Sequence, residues 1–133
     1  MQTEVAVVGA GPAGSVAAHR LAVAGVRVAL LERAAFPRDK PCGDGVTSRG
    51  LAVLRQIGLG DWAAQFRQPG ALRIMSTDGQ VLEGQPDVDD GCCYGRLIPR
   101  RQLDGRLARA AVEAGAQLME ETQVIAVEWT ASG

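Results

Sequence analysis

The feature that most constrains how this chain can fold is Gly9-Ala10-Gly11-Pro12-Ala13-Gly14, set between an apolar β-branched run and a stretch of small residues. Glu4 to Val8 reads as a short buried strand that ends abruptly at the glycines. Pro12 suits the first turn of a helix, where its missing N–H costs nothing. That helix should reach about Ala24, with Ala17, Ala18, Leu21 and Ala22 forming a face small enough to lie close on a sheet, and Gly25 supplies the stop. A second strand follows at Arg27 to Leu31. Strand, helix and strand in this order make a βαβ unit with a right-handed crossover and a parallel sheet.

Each glycine of the turn has its own reason. Gly9 allows the tight exit from the strand, Gly11 lets backbone approach a pyrophosphate, and Gly14 permits close packing of helix on strand. The first helical turn then offers free N–H groups and the positive end of the helix dipole to phosphates. Glu32 closes the second strand near the spacing of about 20 residues at which a carboxylate accepts hydrogen bonds from ribose hydroxyls. A lone GxGxxG says little in a chain with 17 glycines, but here the strand before it, the helix after it and the acid beyond agree. The competing reading is a βαβ unit that binds nothing, with Glu32 an exposed strand-end charge. A carboxylate there disfavours a 2′-phosphate, an exclusion that the neighbouring Arg33 weakens. The fingerprint does not choose between FAD and NAD.

Further along, residues 33–46 are broken by Pro37, Pro41, Gly43 and Gly45 and read as a long connection. Ser48 is the expected N-cap of a helix carrying Leu51, Leu54 and Ile57, closed by Gly58 with Leu59 behind it. Ala71 to Leu82 reads as a hairpin turning at Asp78-Gly79, Gln85 to Gly91 as an exposed acidic loop, and Tyr94 to Ile98 as a strand. Leu103, Leu107, Ala110, Ala111 and Ala114 mark one face of a helix ending at Gly115. Ala116 to Met119 is expected as the next parallel strand and Val124 to Trp129 as another. Trp62 and Trp129 are expected to pack, and His19 to be an exposed or partly packed helix residue.

At 133 residues the chain suits one compact domain and is too short for two. Fourteen basic against 15 acidic residues leave no electrostatic case for nucleic acid. No apolar run reaches the roughly 18 residues of a membrane span, and the first residues lack the parts of a signal peptide. The cytoplasm is the expected compartment, with no integral membrane segment and with peripheral membrane contact left open. The cysteines, Cys42, Cys92 and Cys93, form no CxxC pair, and with His19 the single histidine no metal site is expected. A redox role for Cys42, as a thiol near flavin or paired with Cys92 or Cys93, competes with simple packing. Arg38 and Lys40 read as contacts for phosphate or an acidic substrate, or as solvated loop charges.

Phe36-Pro37-Arg38-Asp39-Lys40-Pro41-Cys42-Gly43-Asp44-Gly45, followed by a helix ending in Gln56-Ile57-Gly58-Leu59-Gly60, resembles the geranylgeranyl reductase family of flavoproteins, which share the fold of aromatic hydroxylases and flavin-dependent halogenases. Arg100-Arg101-Gln102-Leu103-Asp104 resembles that group's second segment, in which an arginine stands four residues before an aspartate at a helix start. The resemblance runs from Val5 to about Val127. It implies an α/β, Rossmann-type FAD-binding domain over residues 1–133, with a parallel sheet and an inserted hairpin or antiparallel region, incomplete at its C-terminus. Gly9, Gly11, Pro12, Ala13, Gly14, Glu32 and Arg33 would hold the AMP half of FAD. Cys42 and Gly43 would lie near the flavin end, Arg100 would contact the cofactor from the helix start, and Val124 would meet the adenine through its backbone. Asp104 has the plainer reading of a charge that stabilises the first helical turn.

The resemblance further implies an FAD-dependent oxidoreductase that reduces a double bond in a prenyl or menaquinone side chain, with NAD(P)H a candidate external reductant. A flavin monooxygenase or halogenase of aromatic or polyketide metabolism is the alternative, and a non-catalytic module holding FAD structurally is a third. The family's later Gly-Asp motif and its substrate domain are absent, and Gly43-Asp44 and Gly60-Asp61 come too early to replace that motif. An apolar or aromatic substrate would therefore be bound by parts outside this chain, which alone is expected to be inactive.

Overall fold

In a computed structural model the chain runs β1 (Val5–Val8), α1 (Pro12–Val23), β2 (Val28–Leu31), β3 (Gly45–Val46), α2 (Ser48–Gln56), α3 (Gly60–Ala64), β4 (Leu72–Met75), β5 (Val81–Gly84), β6 (Arg96–Leu97), α4 (Arg100–Glu113) and β7 (Gln117–Met119). The structure describes residues 3–84 and 95–129. Two units are distinguished by their internal packing, Met1–Lys40 with Arg101–Gly133, and Pro41–Arg100.

The first unit holds the βαβ motif. β1 pairs in parallel with β2, Val5 opposite Val28 through Val8 opposite Leu31, and β2 pairs in parallel with β7, giving the order β1-β2-β7. The central strand β2 is buried on both faces at Val28, Ala29 and Leu30, as a middle parallel strand must be. α1 starts at Pro12 and stops before Gly25, whose φ of +83° is the left-handed conformation that ends helices. The core joins Ala10, Ala18, Val28, Leu30, Ala108, Ala111 and Ala116, with Val7, Leu21, Ala22, Val26, Phe36 and Leu118 packed against it. Of the expected small face of α1, Ala18 is fully buried whereas Ala17 points outward.

In the second unit β6 falls within the strand expected at Tyr94 to Ile98, while its pairing with β3 and the helix α3 escaped the sequence reading. β3 and β6 form a two-residue antiparallel ladder, Gly45 opposite Leu97 and Val46 opposite Arg96, and a five-residue helix α3 follows α2. Both are too short to show a period. α2 buries Leu51 and Leu54, and Ile57 beyond its end is buried too, as their spacing required. Its N-cap is Thr47 rather than Ser48: the Thr47 hydroxyl accepts from the Gly50 N–H at 3.3 Å, and Ser48 is already helical. β4 and β5 pair as the expected hairpin, Met75 opposite Val81, around Ser76–Gln80. A hydrogen bond from the Ser76 hydroxyl is the largest influence that lowers the Asp78 carboxyl below its ordinary range.

Two further expectations need correction. Residues 124–129 form no strand: Ile125, Val127 and Trp129 are 75–90% exposed, and no described strand pairs with them, so their apolar alternation has no partner to bury it. Trp129 accordingly does not pack, whereas Trp62 meets Phe66 edge-on at 4.9 Å. The acidic loop 85–91, Cys92, Cys93 and Tyr94 lie outside the described residues.

Replacing Thr47 with Ala should cost about 1 kcal/mol of stability, while Ser48→Ala should change it by no more than a few tenths. Urea unfolding of both variants checks the assignment of the cap, and equal losses would contradict it.

Candidate functional site

The glycine turn is held from three sides. The Gly9 N–H donates to the Leu31 carbonyl at 2.7 Å, extending the β1–β2 ladder by one residue, and Gly9 then leaves the strand with φ +94°. Ala10 is fully buried, and its carbonyl accepts from the Ser15 hydroxyl at 3.2 Å. Gly11 caps α1 with an extended backbone (φ −76°, ψ −177°), and its carbonyl accepts from the Ser15 N–H. No side chain caps α1, and its first turn carries no acid. With Pro12 lacking a donor, the N–H groups of Ala13 and Gly14 have no acceptor inside the helix and stand at the positive end of its dipole. Gly14 is where helix and turn touch: a Cβ built there would run into the Gly9 carbonyl oxygen and come within 3.4 Å of Val7 Cγ1.

Glu32 lies just beyond the end of β2 and is 6% exposed, so it is not a solvated strand-end charge. Its Oε2 accepts from the Ala10 N–H at 2.9 Å and is 3.4 Å from Arg38 Nη2, while Oε1 accepts from the Ala34 N–H at 3.2 Å. The backbone is fixed as firmly. Glu32 N–H donates to the Met119 carbonyl, and Glu32 O accepts from the Thr122 N–H, both at 2.9 Å. A carboxylate has about four lone-pair positions, so roughly one is left, on Oε1.

Arg38 is the residue the sequence reading undervalued. Rather than meeting phosphate, its guanidinium is largely shielded between two acids, with Nη1 3.0 Å from Asp104 Oδ2 and Nη2 reaching Glu32. Its Cζ lies 5.3 Å from the centre of the Phe36 ring, a cation–π contact, and its Nε is buried without a partner. Asp104 has no exposed surface, which corrects its reading as a charge that only steadies a helix terminus. The signal was present in the sequence: Asp104 falls on the same helical stripe as Leu103, Leu107, Ala108 and Ala111, where an unpaired charge could not remain. Lys40, by contrast, is exposed.

Beyond β7 the chain turns at Glu121, with φ +53°, so that Thr122 returns to Glu32 and Val124 follows half-buried. Arg33 is exposed. Cys42, Gly43 and Arg100 belong to the second unit, where Cys42 and Gly43 are exposed. Asp44, to which the sequence reading assigned no role, organises that stretch. It adopts φ +57°, its carboxylate accepts from the Arg100 N–H at 3.0 Å, and its carbonyl accepts from the Ile98 N–H at 2.8 Å. His19 is half-buried with an unpartnered Nδ1. Among the described residues no cluster of His, Cys, Asp or Glu could hold a metal ion, and no helix is long and apolar enough to cross a membrane.

A parallel βαβ unit with a bare helix N-terminus and a buried acid closing its second strand defines a dinucleotide-binding protein of the Rossmann class. Residues 2–133 match the model of the FAD binding domain family, and the chain belongs to that family. It is 42% identical over 129 residues to a menaquinone reductase of Mycobacterium tuberculosis, covering 97% of this chain and 31% of the relative. It is 36% identical over 143 residues to digeranylgeranylglycerophospholipid reductase 1 of Methanopyrus kandleri, covering 97% of this chain and 35% of the relative. Among solved structures, the myxobacterial chondrochloren halogenase, an FAD-dependent halogenase, superposes with a TM-score of 0.81 at 26% identity over 95% of this chain and 30% of its own. The chain thus spans about a third of the length of the curated relatives it matches.

The close approach at Gly14 yields a direct test. Gly14→Ala should lower stability by about 1–3 kcal/mol, since a methyl group there forces the helix away from the turn. Thermal unfolding of the variant checks it, and a melting temperature equal to that of the parent would contradict the packing described.

Proposed function

We propose that this chain is the cofactor-binding domain of an FAD-dependent oxidoreductase that reduces an isolated double bond in a prenyl-type chain, on a quinone or a lipid. The observation that carries the reading is the match over nearly the whole chain to relatives named as menaquinone and digeranylgeranylglycerophospholipid reductases, joined to a cradle with the donors and acceptor a dinucleotide requires. FAD, when bound, supplies the hydride chemistry. The chain's own residues bind and orient. The N–H groups at Gly11, Ala13 and Gly14 receive the pyrophosphate, Glu32 Oε1 accepts from a ribose hydroxyl, and the Val124 backbone meets the adenine, with Pro12 setting the first turn and Arg33 at the rim. Cys42, Gly43 and Arg100 serve the flavin end. Residues 1–133 act as one FAD-binding domain in this reading. The apolar substrate is held by parts of the protein outside these residues, NAD(P)H is the external reductant, and the enzyme works in the cytoplasm, with access to membrane-borne substrate.

A second reading, an FAD-dependent halogenase or monooxygenase, is favoured by the 0.81 TM-score to the chondrochloren halogenase. The greater identity to the two reductases places it second.

Purified protein should carry flavin absorbance that is lost in Gly11→Val, because a branched side chain there fills the space the pyrophosphate needs. A colourless protein that binds NAD instead would overturn the FAD assignment. Glu32→Ala should weaken FAD by one charge-assisted hydrogen bond, about 1.5–3 kcal/mol, and unchanged affinity by titration would remove Glu32 from the ribose site. Reduction of menaquinone side chains by extracts overexpressing the protein together with its substrate-binding parts supports the leading reading, whereas halide-dependent products would shift it to the second.

A further inference from the structure

We infer that Arg38, anchored by Asp104, is a positioning residue that makes Glu32 a single-site acceptor and thereby sets selectivity for an intact adenosine ribose; this rests on the cofactor reading above. The order of distances assigns the roles. Arg38 is held more closely by the fully buried Asp104, at 3.0 Å, than by Glu32, at 3.4 Å, and its side chain is only 13% exposed. The guanidinium is therefore fixed to α4 and to the Phe36 ring, and presents its remaining terminal nitrogen to Glu32.

That contact occupies Glu32 Oε2, which the Ala10 N–H already uses. Oε1 carries only the Ala34 N–H, so the open acceptor position points one way. Without Arg38 an acceptor position opens on Oε2 as well, and a ribose hydroxyl would no longer be directed to Oε1 alone. A carboxylate acceptor in this position also favours hydroxyl donors and opposes a phosphate on the ribose.

The test is calorimetric titration of the purified protein with ADP, 2′-deoxy-ADP and 3′-deoxy-ADP. Arg38→Met alone would take the guanidinium from between two buried carboxylates, so it is combined with Asp104→Leu, which replaces the ion pair by apolar contacts. The parent should prefer ADP over at least one deoxy analogue by about tenfold or more, the equivalent of one hydrogen bond to a charged group. In the folded double variant that preference should shrink to about twofold or less. Arg38→Lys, which keeps the charge but loses the planar fork, should lose preference in the same sense. A double variant that binds all three nucleotides more weakly by one common factor, with the preference intact, overturns the inference and leaves Arg38 structural. Full preference in Arg38→Lys overturns it too, since charge without orientation would then suffice. Failure of the cofactor reading is separate and visible first in the parent, which would bind neither ADP nor FAD.

Discussion

The hydrogen bond from the Ala10 N–H to the Glu32 carboxylate joins the turn after β1 to the end of β2, and much of the first unit is arranged around it. An ionised carboxylate that is 6% exposed is costly unless its lone pairs are filled. Here two backbone donors and a guanidinium fill all but about one of them, drawn from the glycine turn and from the loop after β2. The backbone of the same residue completes the ladder to Met119 and receives Thr122. One side chain thus ties together the segments that a dinucleotide-binding βαβ unit must bring to one end of its sheet.

The packing explains why such ties are needed. Five of the seven residues at the centre of the core are alanines, which let α1 and α4 approach the sheet closely but bury little apolar surface each. The strands of the parallel sheet are three or four residues long. Close approach is what a phosphate-binding turn requires, since Gly14 must lie against Gly9 for the first helical N–H groups to face outward together. A fold built from small residues gains position more than burial. The buried Arg38–Asp104 pair adds little net stability in that setting, because desolvation offsets much of the attraction, but it fixes where a charge sits.

How legible these features were in the sequence follows from how local they are. The βαβ unit, the hairpin and the faces of α2 and α4 depend on neighbours within a turn or a strand, and their boundaries matched to within about two residues. The β3–β6 pair joins Gly45 to Leu97, 52 positions apart, through two residues each, which leaves no periodic trace of the pairing. Arg38 and Asp104 are 66 positions apart, and each alone looks like a surface charge; only the apolar neighbours of Asp104 along α4 betray its burial. The opposite error occurred at 124–129, where alternating apolar residues suggested a strand that has no described partner. Alternation records a capacity to be half-buried, and a second strand must be present to use it.

At the start of α1 the unpaired groups are donors at the positive end of a helix dipole, while at the end of β2 the open group is a carboxylate acceptor. A ligand that presents phosphate to the first and hydroxyls to the second is matched at both; reversed, it sets anion against anion and donor against donor. The same pair of ends therefore selects both the chemical class of the ligand and the direction in which it lies. Affinity for phosphate can come from any bare helix N-terminus. Direction cannot, and in this chain it depends on holding a carboxylate aimed at the end of β2, which is the service that the two backbone donors and Arg38 perform.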